Sequence, residues 1–329
     1  MLFCLIVFAV IWGAYMFSVG PVTTTTWRST QGNWRQTLAA TVERTLSGTP
    51  VPAPEFLLGV WEVQKHNARG HQSYLFGHVG LFGWWYYFPV ALAVKTTLPL
   101  LILSAISLGL WVAGRASHGM VYPLLGAIAV LVVSISSNIN IGVRHVLAIY
   151  PFLALAAAGL WTFLCRPWSL RKRALGVIGI GLVVCHVAES VRAHPDYLAY
   201  FNQLARGREE EFLLDSNLDW GQDLARLQRY LQEKKITSLH LSYFGRADLR
   251  LLGPVDIRPL PPEARPTGWV AASKSHIAGL YRVSNLAWLK GYAPQAKIGK
   301  SILVYYFPDR AAVQPGRDVS AAQAGGDRP

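Results

Sequence analysis

Apolar residues fall in long unbroken runs over the first 190 positions and in short alternating stretches after them. Residues 1–20 carry no charged side chain. Four further runs follow at 97–112, 120–136, 146–164 and 174–188. Each is near or slightly under the ~20 residues that cross a hydrocarbon core, so flanking aromatic and polar residues must complete them. Backbone amides in lipid have no water to bond, so such segments must be helical. The pattern predicts an α-helical integral membrane protein of about five transmembrane helices, followed by a small extracytoplasmic α/β domain. A secretory signal peptide competes for the first run, but it would carry a basic stretch before its apolar core, and none is present.

The predicted organisation is a transmembrane helix at 1–20, an outer loop with interfacial helices at 21–96 and four transmembrane helices at 97–190. An α/β domain at 191–310 and a disordered tail at 311–329 complete it. The tail is rich in Ala, Gly, Asp and Gln. In the domain, 238–244, 268–272 and 301–307 are rich in β-branched and aromatic residues and read as strands. Leu224, Leu227, Tyr230 and Leu231 have the period of an amphipathic helix. Asp219 with Gln222 three residues later fits a capping box ahead of that helix. Pro54-Glu55 predicts another helix start, since Pro and an acidic residue both suit a first turn.

Charge orients the segments. Residues 1–190 hold 12 Lys/Arg and 4 Asp/Glu, against 19 and 14 in the remainder. The short loops on one side carry Arg115, Arg166, Arg171, Lys172 and Arg173, and the opposite short loop carries only Arg144. The positive-inside rule then places the N-terminus inside and the C-terminal domain outside the cytoplasmic membrane. The overall charge of +13 suits loops beside anionic lipid rather than a nucleic-acid partner. Cys4, Cys165 and Cys185 show no metal or CxxC spacing.

Lys95, Arg144 and His145 would share the outer membrane face. They admit two readings: snorkelling for their own solvation, or a phosphate site at headgroup depth. Trp84-Trp85-Tyr86-Tyr87-Phe88-Pro89 reads as an aromatic belt in the headgroup layer. Asp215, Asn217 and Asp219 space their oxygens like a calcium loop, but the glycine falls one place late and Arg226 stands where the bidentate Glu belongs. No divalent metal or other cofactor is expected.

Several stretches, in this order, resemble bacterial membrane glycosyltransferases of family 39, relatives of the protein O-mannosyltransferases with the GT-C fold. They are Pro54-Glu55-Phe56, Tyr74-Leu75-Phe76-Gly77, the aromatic stretch at 84–89, Lys95-Thr96-Thr97-Leu98-Pro99, Gly142-Val143-Arg144-His145, His194-Pro195-Asp196-Tyr197 and residues 215–224. The resemblance spans about 50 to 310. It implies transfer of a sugar from a polyprenyl-phosphate carrier on the outer face of the bacterial inner membrane, with Lys95, Arg144 and His145 on the carrier phosphate. Glu55, Tyr74, Asp215, Asn217, Asp219, Trp220, Gln222 and Asp223 belong to its motifs without an assigned role. The family's catalytic base lies in an acidic first outer loop without a counterpart here, and Glu43, Glu55 and Glu62 are not assigned to that role. The expectation is therefore the C-terminal part of such an enzyme, catalytically incomplete alone and served by an N-terminal companion polypeptide. The alternative is a non-catalytic membrane subunit or scaffold with an external partner-binding domain.

Overall fold

The computed structural model describes residues 2–22, 49–116, 118–164, 170–282 and 286–308. Glu43, Cys165, Arg166 and the tail from 311 lie outside them. The chain forms two compact units, Met1–His71 and Gln72–Pro329.

In the first unit, helix α1 (Leu2–Ala14) has no buried residue. A two-stranded ladder of β1 (Val19–Gly20) and β2 (Val51–Pro52) leads to helix α2 (Pro54–Arg69). α2 starts at Pro54, where the Pro-Glu pair predicts a first turn. Glu55 accepts the Ser18 hydroxyl at 2.7 Å, and this hydrogen bond lowers its pKa.

The second unit opens with a tight hairpin, β3 (Ser73–Leu75) and β4 (His78–Gly80). Helices α3 (Tyr87–Lys95), α4 (Leu98–Val112), α5 (His118–Ile135), α6 (Ile149–Leu164) and α7 (Leu170–Arg192) follow. α6 packs closely on α5. A Cβ on Gly159 would sit 2.7 Å from the Gly119 carbonyl oxygen, so the close approach requires glycine there.

This architecture corrects the expectation of an about-five-span helical protein. The structure is mixed α/β, 52% helical with a five-stranded sheet. Among the described residues only His118–Ile135 and Leu175–Arg192 are long and apolar enough to cross a membrane. α1 has 13 residues and α4 has 15, which at 1.5 Å per residue reach about 20 Å and 22 Å of a ~30 Å hydrocarbon core. The apolar pattern runs past points where the backbone leaves the helix. Met16 and Phe17, inside the run at 1–20, take left-handed φ of 54° and 55°. Hydropathy counts side chains and is blind to those dihedrals.

The sheet has the order β6-β5-β7-β9-β8, with β5 (Ser238–Ser242) parallel to both β6 (Asp256–Pro259) and β7 (Gly268–Ser273). β9 (Ile302–Phe307) runs antiparallel to β7 and to β8 (Ala296–Ile298). The three predicted strands are β5, β7 and β9, the central trio. β6 and β8 escaped the pattern because they are short, charged edges, and Pro259 ends β6, where no neighbour needs its missing N–H. Alternation sorts the two faces. Ile302 and Val304 join Leu224, Leu227 and Leu231 on one side, while Val270, Ala272 and Tyr305 join Leu286 and Leu289 on the other.

After the single turn α8 (Glu209–Phe212), helix α9 (Leu224–Glu233) supplies those leucines. The capping box does not form. Asp223, not Asp219, precedes the first helical residue, and its carboxylate turns to the β8–β9 turn instead of capping. Gln222 accepts from the Trp220 amide and donates to the Leu218 carbonyl, folding the loop on itself.

Candidate functional site

Buried Leu213, Leu214 and Leu218 pin the segment that carries the Asp215–Asp223 motif, so its polar side chains must find partners inside the protein. Asn217, fully buried, accepts from the Val143 amide at 2.9 Å and donates to the Tyr87 hydroxyl at 2.8 Å and the Leu214 carbonyl at 3.2 Å. Ser216 donates to the Ile141 carbonyl at 2.5 Å. A Cβ on Gly142 would lie 2.3 Å from that Ser216 hydroxyl, which accounts for glycine ahead of Val143-Arg144-His145. The motif thus clamps the turn at Val143–Val146 and fixes where Arg144 stands.

The Arg144 guanidinium lies over the Trp220 ring, 4.3 Å from its centroid, and Trp220 is 56% exposed. Arg144 is half-buried and makes no ion pair with a described residue. Its field still reaches inward: burial raises the pKa of Asp215, Tyr87 and Tyr281, and Arg144 opposes that rise in part at all three. Asp215, in left-handed conformation, accepts from the Ser216 amide and from the Tyr281 hydroxyl, and burial raises its pKa. Tyr281 stacks on Phe244, with 13° between the rings. His145 is exposed beside Arg144.

Lys95 takes a different place. Its ammonium is buried, donates to the Leu198 carbonyl at 2.7 Å and the Asn217 carbonyl at 2.6 Å, and sits 4.3 Å from the Phe201 ring centroid. Burial lowers its pKa to about 7, with Glu209 opposing. The structure therefore joins Lys95 to the motif through Asn217 but aims it at backbone oxygens. Glu55 belongs to the other unit, and Tyr74 donates to the Glu210 carbonyl at 2.6 Å. The aromatic stretch divides: Tyr87 and Phe88 are core residues, while Trp85 is 68% exposed. The calcium-like oxygens do not converge, since Asp215, Asn217 and Asp219 serve different partners. Among the described residues no group of three His, Cys, Asp or Glu could hold a metal ion.

Sequence reasoning missed Tyr281 and read Tyr87 only as part of an aromatic belt; they reach the motif across 66 and 130 residues of chain, and Phe244 joins through its stacking on Tyr281. No local spacing signals them.

Asp219 is wholly buried. One oxygen accepts the Gly221 amide at 2.9 Å, and Oδ2 makes no hydrogen bond of regular geometry. Burial raises its pKa to about 6, with the nearby Ser273 and Ser301 hydroxyls favouring the anion and Asp223 opposing it. Because the folded pKa exceeds the unfolded one, the native state binds the extra proton, and stability falls as pH rises from about 4 to 6. Asp219→Asn keeps the acceptor for Gly221 and removes the buried anion. It should raise stability at pH 7 by about 1–3 kcal/mol and reduce the fall in stability from pH 4 to pH 7, leaving the share due to Asp215. Urea melts at pH 4 and pH 7 measure both, and an unchanged slope contradicts the assignment.

Comparison of the chain with protein-family models, with curated proteins and with solved structures yields no match.

Proposed function

We propose that the chain is a membrane-anchored component of a glycosyltransferase, with Arg144 seating the phosphate of a polyprenyl-phosphate sugar carrier. The observation that carries this reading is a half-buried guanidinium, free of ion pairs among the described residues and held over an exposed indole. Cation–π contact and the Asn217 clamp preorganise the cation without neutralising it. A fixed positive charge of this kind stabilises the charge that grows on phosphate as the sugar leaves. His145 adds a second donor at the same exposed edge. His118–Ile135 and Leu175–Arg192 provide the membrane anchor. Lys95 supports the site from behind, holding the Asn217 carbonyl, rather than touching phosphate. No general base is assigned: Asp215 accepts from the Ser216 amide and the Tyr281 hydroxyl and serves here to hold the motif.

Titration of detergent-solubilised chain with a polyprenyl phosphate tests this. Arg144→Ala should weaken binding by roughly ten- to a hundredfold, the loss of one charge-assisted contact of about 1.5–3 kcal/mol. Its melting temperature should stay unchanged. Equal affinity in both proteins, or equal affinity for the polyprenol without phosphate, removes Arg144 from the site.

A second reading, a non-catalytic subunit that binds a partner, draws on a cleft of about 700 Å³ between the β3–β4 hairpin and the sheet. Phe76 and Tyr292 line it and are exposed, with Lys290 and Lys297 at its edge. Chain that binds no carrier at all would favour this reading.

A further inference from the structure

Three cavities in the second unit join end to end and change character along their length. The first, of about 380 Å³, is an apolar groove between α4, α6 and α7 lined by Leu103, Leu160, Trp161 and Val183. It shares Leu100 and His186 with a second cavity of about 160 Å³, where Tyr150, Tyr197 and Tyr200 replace the aliphatic wall. That one shares Ala193 and Tyr200 with a third, of about 170 Å³, lined by Arg192, His194 and Arg206. The third cavity also contains carboxylates, but each has a donor. Glu189 accepts from Tyr200 and Gln203, Asp196 pairs with Arg226, and Glu209 faces Lys300 at 3.4 Å. Arg192 and Arg206 make no ion pair with a described residue. The track therefore passes from hydrocarbon to tyrosine hydroxyls to two guanidinium groups that make no ion pair with a described residue, with Glu189, held by neutral donors, on the same wall. It begins beside the apolar length of α7 and finishes where that helix ends. Tyrosines suit the layer between chain and headgroup, and Arg forks match phosphate oxygens.

We infer that this track binds one acidic bilayer phospholipid, with an acyl chain in the groove by Trp161 and the phosphate between Arg192 and Arg206. The site is separate from Arg144 and rests only on the membrane-anchored part of the reading above. The bound lipid would fix the end of α7 relative to the segment that continues into the Asp215–Asp223 motif.

Native mass spectrometry of the delipidated full chain in non-ionic detergent tests it, with phosphatidylglycerol, phosphatidylcholine and inorganic phosphate as probes. Phosphatidylglycerol should bind one to one, roughly tenfold tighter than phosphatidylcholine. The double variant Arg192→Gln/Arg206→Gln should bring it to the phosphatidylcholine level. Ala158→Phe, at an exposed position lining the groove, should weaken both lipids, whereas Arg144→Ala should change neither. Equal affinity for the two lipids, inorganic phosphate binding as tightly as phosphatidylglycerol, or indifference to the arginine pair overturns the proposal. A chain that stays soluble and monomeric without detergent defeats the membrane-anchored reading instead.

Discussion

Asp223→Ala is expected to cost about 3–5 kcal/mol, the penalty for stripping one partner from a buried charged network. Asp223 is fully buried at the start of α9. Its Oδ2 accepts from the Lys300 and Ser301 amides and the Ser301 hydroxyl, all within 3.0 Å. Its Oδ1 meets the Arg226 guanidinium at 2.7 Å, and Arg226 reaches on to Asp196 at the same distance. One carboxylate therefore ties the helix to the β8–β9 turn and to the segment following α7. Removing it leaves two amides and the Ser301 hydroxyl without their acceptor and Arg226 with Asp196 alone. Asp223→Asn should be milder, since one oxygen still serves the amides. Far-ultraviolet circular dichroism during urea titration reads the loss, and a shift under about 1 kcal/mol would place the network's weight elsewhere.

Lys95→Ala should be comparably severe, at about 3–5 kcal/mol. The substitution strands the Leu198 and Asn217 carbonyls in the interior and opens a void beside Phe201. Lys95→Met fills the void without restoring the donors, so its cost should fall between that of alanine and wild type. The pH response separates this account from surface snorkelling. A lysine held near 7 when folded and 10.5 when unfolded gives up its proton first in the native state. The unfolded chain then binds more protons between those values, and stability rises with pH across that window. Lys95→Met should flatten the rise. A wild-type profile already flat from pH 7 to 10 would return Lys95 to a solvated role.

The sequence made the sheet's centre legible because β5, β7 and β9 are rich in β-branched and aromatic residues, and their faces alternate as a buried sheet demands. α2 and α9 were legible for related reasons, a Pro-Glu start in one and a leucine stripe in the other. The spans were not. Apolar side chains continue through Met16 and Phe17 although the helix stops, so the first run shortens to 13 residues, while the run at 97–112 forms a helix of 15, itself short of a full crossing. The site was half legible. Motif residues do gather, with Asn217 linking Lys95 to the Arg144 turn. Yet Lys95, grouped with Arg144 by its charge, serves two carbonyls, and Asp219, grouped with the helix cap by its spacing, is a buried acid beside Ser273 and Ser301. Charge and spacing name a side chain's options. The choice among them depends on partners from distant parts of the chain, 103 and 122 positions away for Lys95.

The most direct test of the phosphate seat is photo-crosslinking of the unmodified chain with a polyprenyl phosphate that carries a diazirine next to its phosphate, followed by peptide mapping. The account predicts label on peptides containing Arg144 and Trp220, competed away by unlabelled polyprenyl phosphate and not by polyprenol. Label confined to peptides containing Arg192 and Arg206, or label that polyprenol removes equally well, would contradict it.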